Sequence, residues 1–126
     1  MNPVVYDAGA LIAADRNARQ VWADHRVRLE AGIIPVVPAP VVAQASRSPA
    51  QVQLRRLLRG CDVVALTEHA AHAAGHLLGQ AGTSDIADAA VALAAADRHA
   101  DVVTSDLDDI RRLLQAARSA SRIIAV

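Results

Sequence analysis

Val4-Val5-Tyr6-Asp7-Ala8-Gly9-Ala10-Leu11-Ile12 decides how the chain folds. Two β-branched residues and an aromatic in succession, Val4–Tyr6, read as a short strand. Asp7-Ala8-Gly9 turns the chain, and Ala10–Ala14 starts a helix. A strand feeding directly into a helix is the first half of a βαβ unit. A carboxylate placed straight after the strand and before a glycine turn marks Asp7 as a functional candidate.

The same alternation continues outward. Val21–Ala31 reads as a charged amphipathic helix closed by Gly32. Ile33–Val37 is an unbroken apolar run, expected as a strand buried on both faces. Pro38-Ala39-Pro40 breaks the pattern before a helix at Val41–Arg47. Ser48 is expected to cap, and Pro49 to open, a helix running to Leu58 and ended by Gly60. Asp62–Leu66 is a third strand, and Thr67 caps a helix to about Leu78, followed by a loop from Gly79 to Gly82. Thr83 or Ser84 caps a long helix, Asp85–Arg98. Asp101–Thr104 is a fourth strand, Ser105 caps the helix Leu107–Ala117, and Arg122–Val126 is a last strand. Strands alternating with helices imply a mostly parallel sheet covered on both faces, a three-layer α/β/α sandwich. The 126 residues are expected to form one domain, without repeats or linkers.

Composition narrows the function classes. Hydrophobic residues are 53% of the chain and aromatics only 2%, so the core must be built from small aliphatic side chains packed closely. The single cysteine, Cys61, excludes an internal disulfide and suits a reducing, cytoplasmic setting. The start lacks a basic region ahead of an apolar one, so no signal peptide is expected, and no apolar run approaches the ~20 residues needed to cross a bilayer. Thirteen basic residues, all arginine, balance thirteen acidic ones. Such a chain is not a general polyanion binder; nucleic acid would have to be met by a local arginine patch, through the guanidinium's two-pronged fit to phosphate.

The acids fall in telling places on this map. Asp7 follows the first strand; Asp106 follows the fourth by one residue, with Asp109 a helical turn later. Ligands of open parallel sheets bind beyond the carboxyl ends of the strands, where both would project. Asp88 lies near the start of the preceding helix, three residues after Asp85 and on roughly the same face. Singly, Asp85, Asp106 and Asp109 are ordinary helix-start acids, and Ser105 with Asp108 resembles a capping box. Together, converging carboxylates repel, and a divalent cation removes the conflict. Oxygen ligands select magnesium or manganese, whose bound water is a nucleophile suited to phosphodiester hydrolysis.

Three segments in this order resemble the PIN-domain family, in particular the VapC-type toxin ribonucleases of toxin–antitoxin pairs. They are Val4–Ile12; Ser84-Asp85-Ile86-Ala87-Asp88-Ala89-Ala90-Val91-Ala92-Leu93-Ala94; and Val102-Val103-Thr104-Ser105-Asp106-Leu107-Asp108-Asp109-Ile110. The resemblance covers nearly the whole chain. It implies a metal-dependent endoribonuclease with Asp7, Asp88 and Asp106 as metal ligands and Asp109 as an accessory acid. Thr104 and Ser105 match the polar residues that position metal waters or phosphate. It also implies a homodimer, an RNA substrate, and a small antitoxin that covers the site and binds operator DNA. The chain departs from the family at Pro40-Val41-Val42-Ala43-Gln44-Ala45-Ser46-Arg47, where Gln44 stands in place of the usual glutamate. An amide carries no charge and cannot act as a base, so metal affinity is expected to drop.

Arg47, one turn after Gln44, is placed to reach an RNA phosphate at the site mouth. Arg55, Arg56 and Arg59 read as a solvated face, as do His69, His72 and His76, whose spacing could hold zinc but which no cysteine or acid joins. Trp22 and His25 read as amphipathic-helix residues, at most at a subunit or partner surface. The competing function is a catalytically weakened PIN-like module that binds RNA or protein, with Gln44 marking the lost acid. A receiver-like or phosphatase-like domain with Asp7 as nucleophile fits less well, because such sites use a lysine and the chain has none.

Overall fold

A computed structural model describes residues 1–126. The elements in chain order are β1 (Val4–Tyr6), α1 (Ala8–Asp15), α2 (Arg19–Glu30), β2 (Val36–Pro38), α3 (Ala39–Ala45), α4 (Val52–Arg59), β3 (Asp62–Val64), α5 (Glu68–Ala81), α6 (Ile86–Arg98), β4 (Asp101–Thr104), α7 (Leu107–Ala116) and β5 (Ile123–Ala125). The strands form one all-parallel sheet in the order β3-β2-β1-β4-β5. The chain therefore builds outward from β1 to β3, then returns to add β4 on β1's other side. Between β1 and β4 the direction of winding reverses, and ligands of such sheets bind in the crevice this leaves at the strand ends.

Helix α1 packs on β1 and β4, with α2 and α4 beside it; α6 packs on β1, β2 and β4, with α5 and α7 beside it. The expected three layers result. Every residue of β1 and β4 is buried, as a strand covered on both faces requires. Helix α6 buries Ala87, Ala89, Ala90, Ala92, Ala94 and Ala95, and these small side chains let its backbone lie close to the sheet. No helix is long and apolar enough to cross a membrane.

Several element ends differ from the sequence reading. The second strand is Val36–Pro38, not Ile33–Val37, because its partners β1 and β3 are three residues long and no ladder extends further; Ile34 is exposed. The third and last strands are likewise shorter than expected, while α1 starts at Ala8 and α3 at Ala39, so that Ala8-Gly9 and Ala39-Pro40 are helical and not the turn and break expected. Ser48 does not cap α4, which starts at Val52. Instead the Gln51 side chain accepts the backbone N–H groups of Arg47 (2.6 Å) and Ser48 (2.9 Å), holding residues 46–51 as a turn. Helix α5 runs through Gly79 and stops at Gly82, whose φ of 72° is the left-handed conformation that glycine adopts without strain.

His25 is buried, contrary to its reading as a surface residue. The Arg28 guanidinium donates to the Tyr6 hydroxyl oxygen (3.1 Å), and that hydroxyl lies 2.8 Å from His25 Nδ1. Burial, and then the Arg28 charge, lower the His25 pKa and favour the neutral ring. Nδ1 can then accept the Tyr6 proton, so three side chains tie α2 to the end of β1. Trp22 donates to the Ala14 carbonyl (3.0 Å) under the Arg56 guanidinium, 4.5 Å from its ring centroid. Cys61 is half-buried, and burial pushes its thiol up to about 12.

At the sheet's opposite end, buried Asp101 accepts hydrogen bonds from Arg122 (2.9 Å) and Asn2 (3.5 Å). Burial alone would raise its pKa, but these bonds and the Arg122 charge leave it below the usual carboxylate value. A lowered folded pKa stabilises above the unfolded value of about 3.9, and this is lost as pH falls through the folded value. Asp101→Asn is expected to lower the melting temperature at neutral pH and to flatten its decline between about pH 4 and 2. A decline as steep as that of the wild type would show that Asp101 contributes nothing there.

Candidate active site

The site grows from two turns that leave adjacent strands. Asp7 follows β1, and its N–H extends the ladder by one bond to the Val103 carbonyl (2.9 Å). Its side chain caps α1, Oδ1 accepting from the Ala8 N–H (2.8 Å). The other oxygen, Oδ2, accepts the hydroxyl of fully buried Thr104 (2.7 Å). The Asp106 N–H in turn donates to Thr104 Oγ1 (2.9 Å). A hydroxyl has one proton, so with the amide donating to its oxygen that proton points at Asp7. One threonine thus joins the acids after β1 and β4. Thr104→Val keeps the shape and deletes both bonds. It is expected to cost roughly 1–3 kcal/mol in denaturant unfolding; an unchanged midpoint would show that the hydroxyl does not hold Asp7.

The two turns also touch. A Cβ added to Gly9 would lie 2.3 Å from Ser105 Oγ and 2.8 Å from the Ser105 backbone nitrogen. Glycine is required here for close approach. Ser105 itself is exposed and does not cap α7; Asp106 occupies the cap position, with no side-chain bond to the helix.

Asp88 comes in from α6. Asp85 is the N-cap of that helix, in place of the expected Thr83 or Ser84, and its Oδ1 accepts the Asp88 N–H (2.9 Å). Asp88 is only 4% exposed, and its Oδ2 has no hydrogen-bond partner. Burial, then the charges of Asp7 and Asp85 and contact with Asp106, push its carboxyl up to about 8. Burial also raises Asp7, outweighing the Thr104 and Ala8 hydrogen bonds that favour its charged form. Carboxylate oxygens of Asp88, Asp106 and Asp109 lie within 4.8 Å of one another, and no other group of three or more acids, histidines or cysteines comes that close.

Three of the four expected acids, Asp88, Asp106 and Asp109, come together; Asp7 lies outside that group, near enough to Asp88 for its charge to raise the Asp88 carboxyl. A buried, unpartnered carboxylate oxygen is costly unless something of opposite charge meets it. All the donors are oxygens, which suits a hard divalent cation such as magnesium or manganese. Gln44, half-buried on α3, points its amide nitrogen at Asp85, 3.5 and 3.4 Å from the two carboxylate oxygens. Asp85, read from the sequence as an ordinary helix-start acid and not counted among the site residues, is that partner, and it caps α6 as such an acid does.

The remaining candidates lie apart. The Arg47 guanidinium donates to the Ala43 (3.0 Å) and Ser46 (2.9 Å) carbonyls, closing the end of α3. His69, His72 and His76 are exposed on α5, with His72 paired to Glu68 at 3.3 Å, as a solvated face would be.

No family model matches the sequence, and no curated protein matches it either. Solved structures do resemble it in fold. VapBC2 from Rickettsia felis, bound to a DNA fragment from their promoter, aligns with a TM-score of 0.69 and 14% identity over 98% of both chains. DNA-bound VapBC from Salmonella typhimurium aligns at 0.67 and 20% identity, over 99% of this chain and 98% of that one. PAE2754 from Pyrobaculum aerophilum aligns at 0.65 and 20% identity, over 99% and 91%. At these identities the likeness shows a shared α/β fold.

Proposed function

We propose that residues 1–126 form a single PIN-like domain and act as a divalent-metal-dependent endoribonuclease, the toxin of a VapBC-type pair. The observation that carries this is Asp88, a buried carboxylate with an orphaned oxygen, set among three other acids where the winding of the sheet reverses. Asp7, Asp88 and Asp106 would hold magnesium or manganese, with Asp109 assisting. Once bound, the ion offsets their charge, lowers the pKa of attached water and polarises a phosphate oxygen. The chain's own part is placement. Thr104 fixes Asp7 and Asp106 relative to each other, Asp85 fixes the start of α6 and so Asp88, and Ser105 stands exposed at the mouth, where it can donate to a phosphate. The free N–H groups of Arg47 can reach an RNA backbone from the end of α3.

The likeness in fold to the VapBC proteins supports the toxin assignment and, with it, a cognate antitoxin, a homodimer and a cytoplasmic setting. The test is cleavage of structured RNA by the purified protein in EDTA, magnesium or manganese, with Asp88→Asn as control. Cuts that need metal and vanish in the variant are expected. A folded, partner-free protein that cuts nothing in any metal would replace this reading with a non-catalytic binding module.

A further inference from the structure

Gln44 is the one position where an acid is expected and an amide is found, and its surroundings give that amide a task. The Gln44 side chain donates toward both oxygens of Asp85, at 3.5 and 3.4 Å. Asp85 uses one of those oxygens to accept the Asp88 N–H. A carboxylate at position 44 would set two negative groups against each other at the same separation, with nothing to donate between them. The acid on this side of the site stands at the cap of α6 and not on α3, and the residue facing it is a donor.

We propose that Asp85 supplies the negative charge that Gln44 does not, and that Gln44 is the positioning residue that holds Asp85 over the first turn of α6. The inference rests on the metal-site reading above and deepens it. Asp85 lies beside the centre, because it caps α6 one turn ahead of Asp88 and its Oδ1 is 2.9 Å from the Asp88 nitrogen. It is also independently anchored, being bound to the backbone of the one acid whose Oδ2 is buried and unpartnered. Partners held behind a metal ligand commonly change metal affinity about 10- to 100-fold when removed.

The test is Mn2+ binding, followed by electron paramagnetic resonance of the free ion, together with the melting temperature of the metal-free protein at one pH. Asp85→Asn retains the cap, because asparagine caps as well as aspartate, and loses the charge; it is expected to weaken Mn2+ binding about tenfold. Gln44→Glu is expected to lower the metal-free melting temperature without tightening Mn2+ binding. The double variant Gln44→Glu/Asp85→Asn exchanges donor and acceptor and is expected to recover both properties. If Gln44→Glu alone tightens Mn2+ binding tenfold at unchanged stability, the amide is a deficit and the proposal falls. It also falls if Asp85→Asn binds Mn2+ as the wild type does. Wild-type protein that binds no Mn2+ would instead overturn the metal-site reading on which the proposal rests.

Discussion

Asp88→Asn is expected to abolish cleavage, by at least about 100- to 1000-fold, and at the same time to stabilise the metal-free protein. The second effect follows from where the charge sits. The Asp88 carboxyl is 4% exposed and is pushed up to about 8 by burial and then by Asp7, Asp85 and Asp106. An unfolded chain releases this proton near pH 4. Between about pH 4 and 8 the folded state holds the proton and the unfolded state does not, so stability falls as pH rises across that window. Asparagine has the same shape and no charge to desolvate. At pH 4 the two proteins should melt together; at pH 8 the variant should melt higher, by on the order of 5–10 °C if a few kcal/mol of penalty is removed. Mn2+ should raise the wild-type melting temperature at pH 8 and leave the variant's nearly unchanged. A wild type whose metal-free stability is flat from pH 5 to 8 would show that Asp88 ionises freely and that the crowding of acids is not felt.

The second large effect is expected at a residue with no side chain. Gly9→Ala places a Cβ 2.3 Å from Ser105 Oγ and 2.8 Å from the Ser105 backbone nitrogen. The hydroxyl can rotate away, but the nitrogen belongs to the turn that carries Asp106. To fit, the turn after β1 must part from the turn after β4, and Asp7 parts from Asp106 with it. Overpacking of this kind costs about 1–3 kcal/mol. Misplacing reacting groups by about 1 Å can cost 100-fold in rate. Cleavage should therefore fall much further than stability. Adding Ser105→Gly removes the Oγ and Cβ contacts but not the one to nitrogen, so the double variant should regain only part of the stability. Full activity in Gly9→Ala would mean that the two turns are not held in register by this contact.

These two residues also show what could be read before the fold was known. The β-branched runs mark all five strands because such signals are local, and they set Asp7 directly after β1; the turn expected at Asp7-Ala8-Gly9 is instead the start of α1, with Asp7 as its cap. Element ends were less legible. Ser48-Pro49 looks like a helix start, yet the bonds that hold this segment as a turn come from the Gln51 amide. Long-range pairings left no local trace. Gln44 and Asp85 lie 41 residues apart, and Tyr6 and His25 lie 19 apart, so neither Asp85's partner nor the burial of His25 shows in periodicity. Gly9 carried a visible signal, a glycine beside a candidate acid, but the serine it must clear was out of sight.

The strand order has a consequence for when the site exists at all. Asp7 is synthesised well before its hydroxyl partner Thr104, which comes 97 positions later. Strand β4 joins β1 only after the chain has laid down β2, β3 and six intervening helices. Contacts of such wide separation form slowly and late. A nascent chain still short of β4, or a fragment cut before it, carries Asp7, and at most Asp88 with it, without Asp106. The activity proposed above would thus be withheld until β4 has been made, by chain topology alone. Moving β1 and α1 to the carboxyl terminus by circular permutation would leave that safeguard in place, because Asp7 would then be the last acid to arrive.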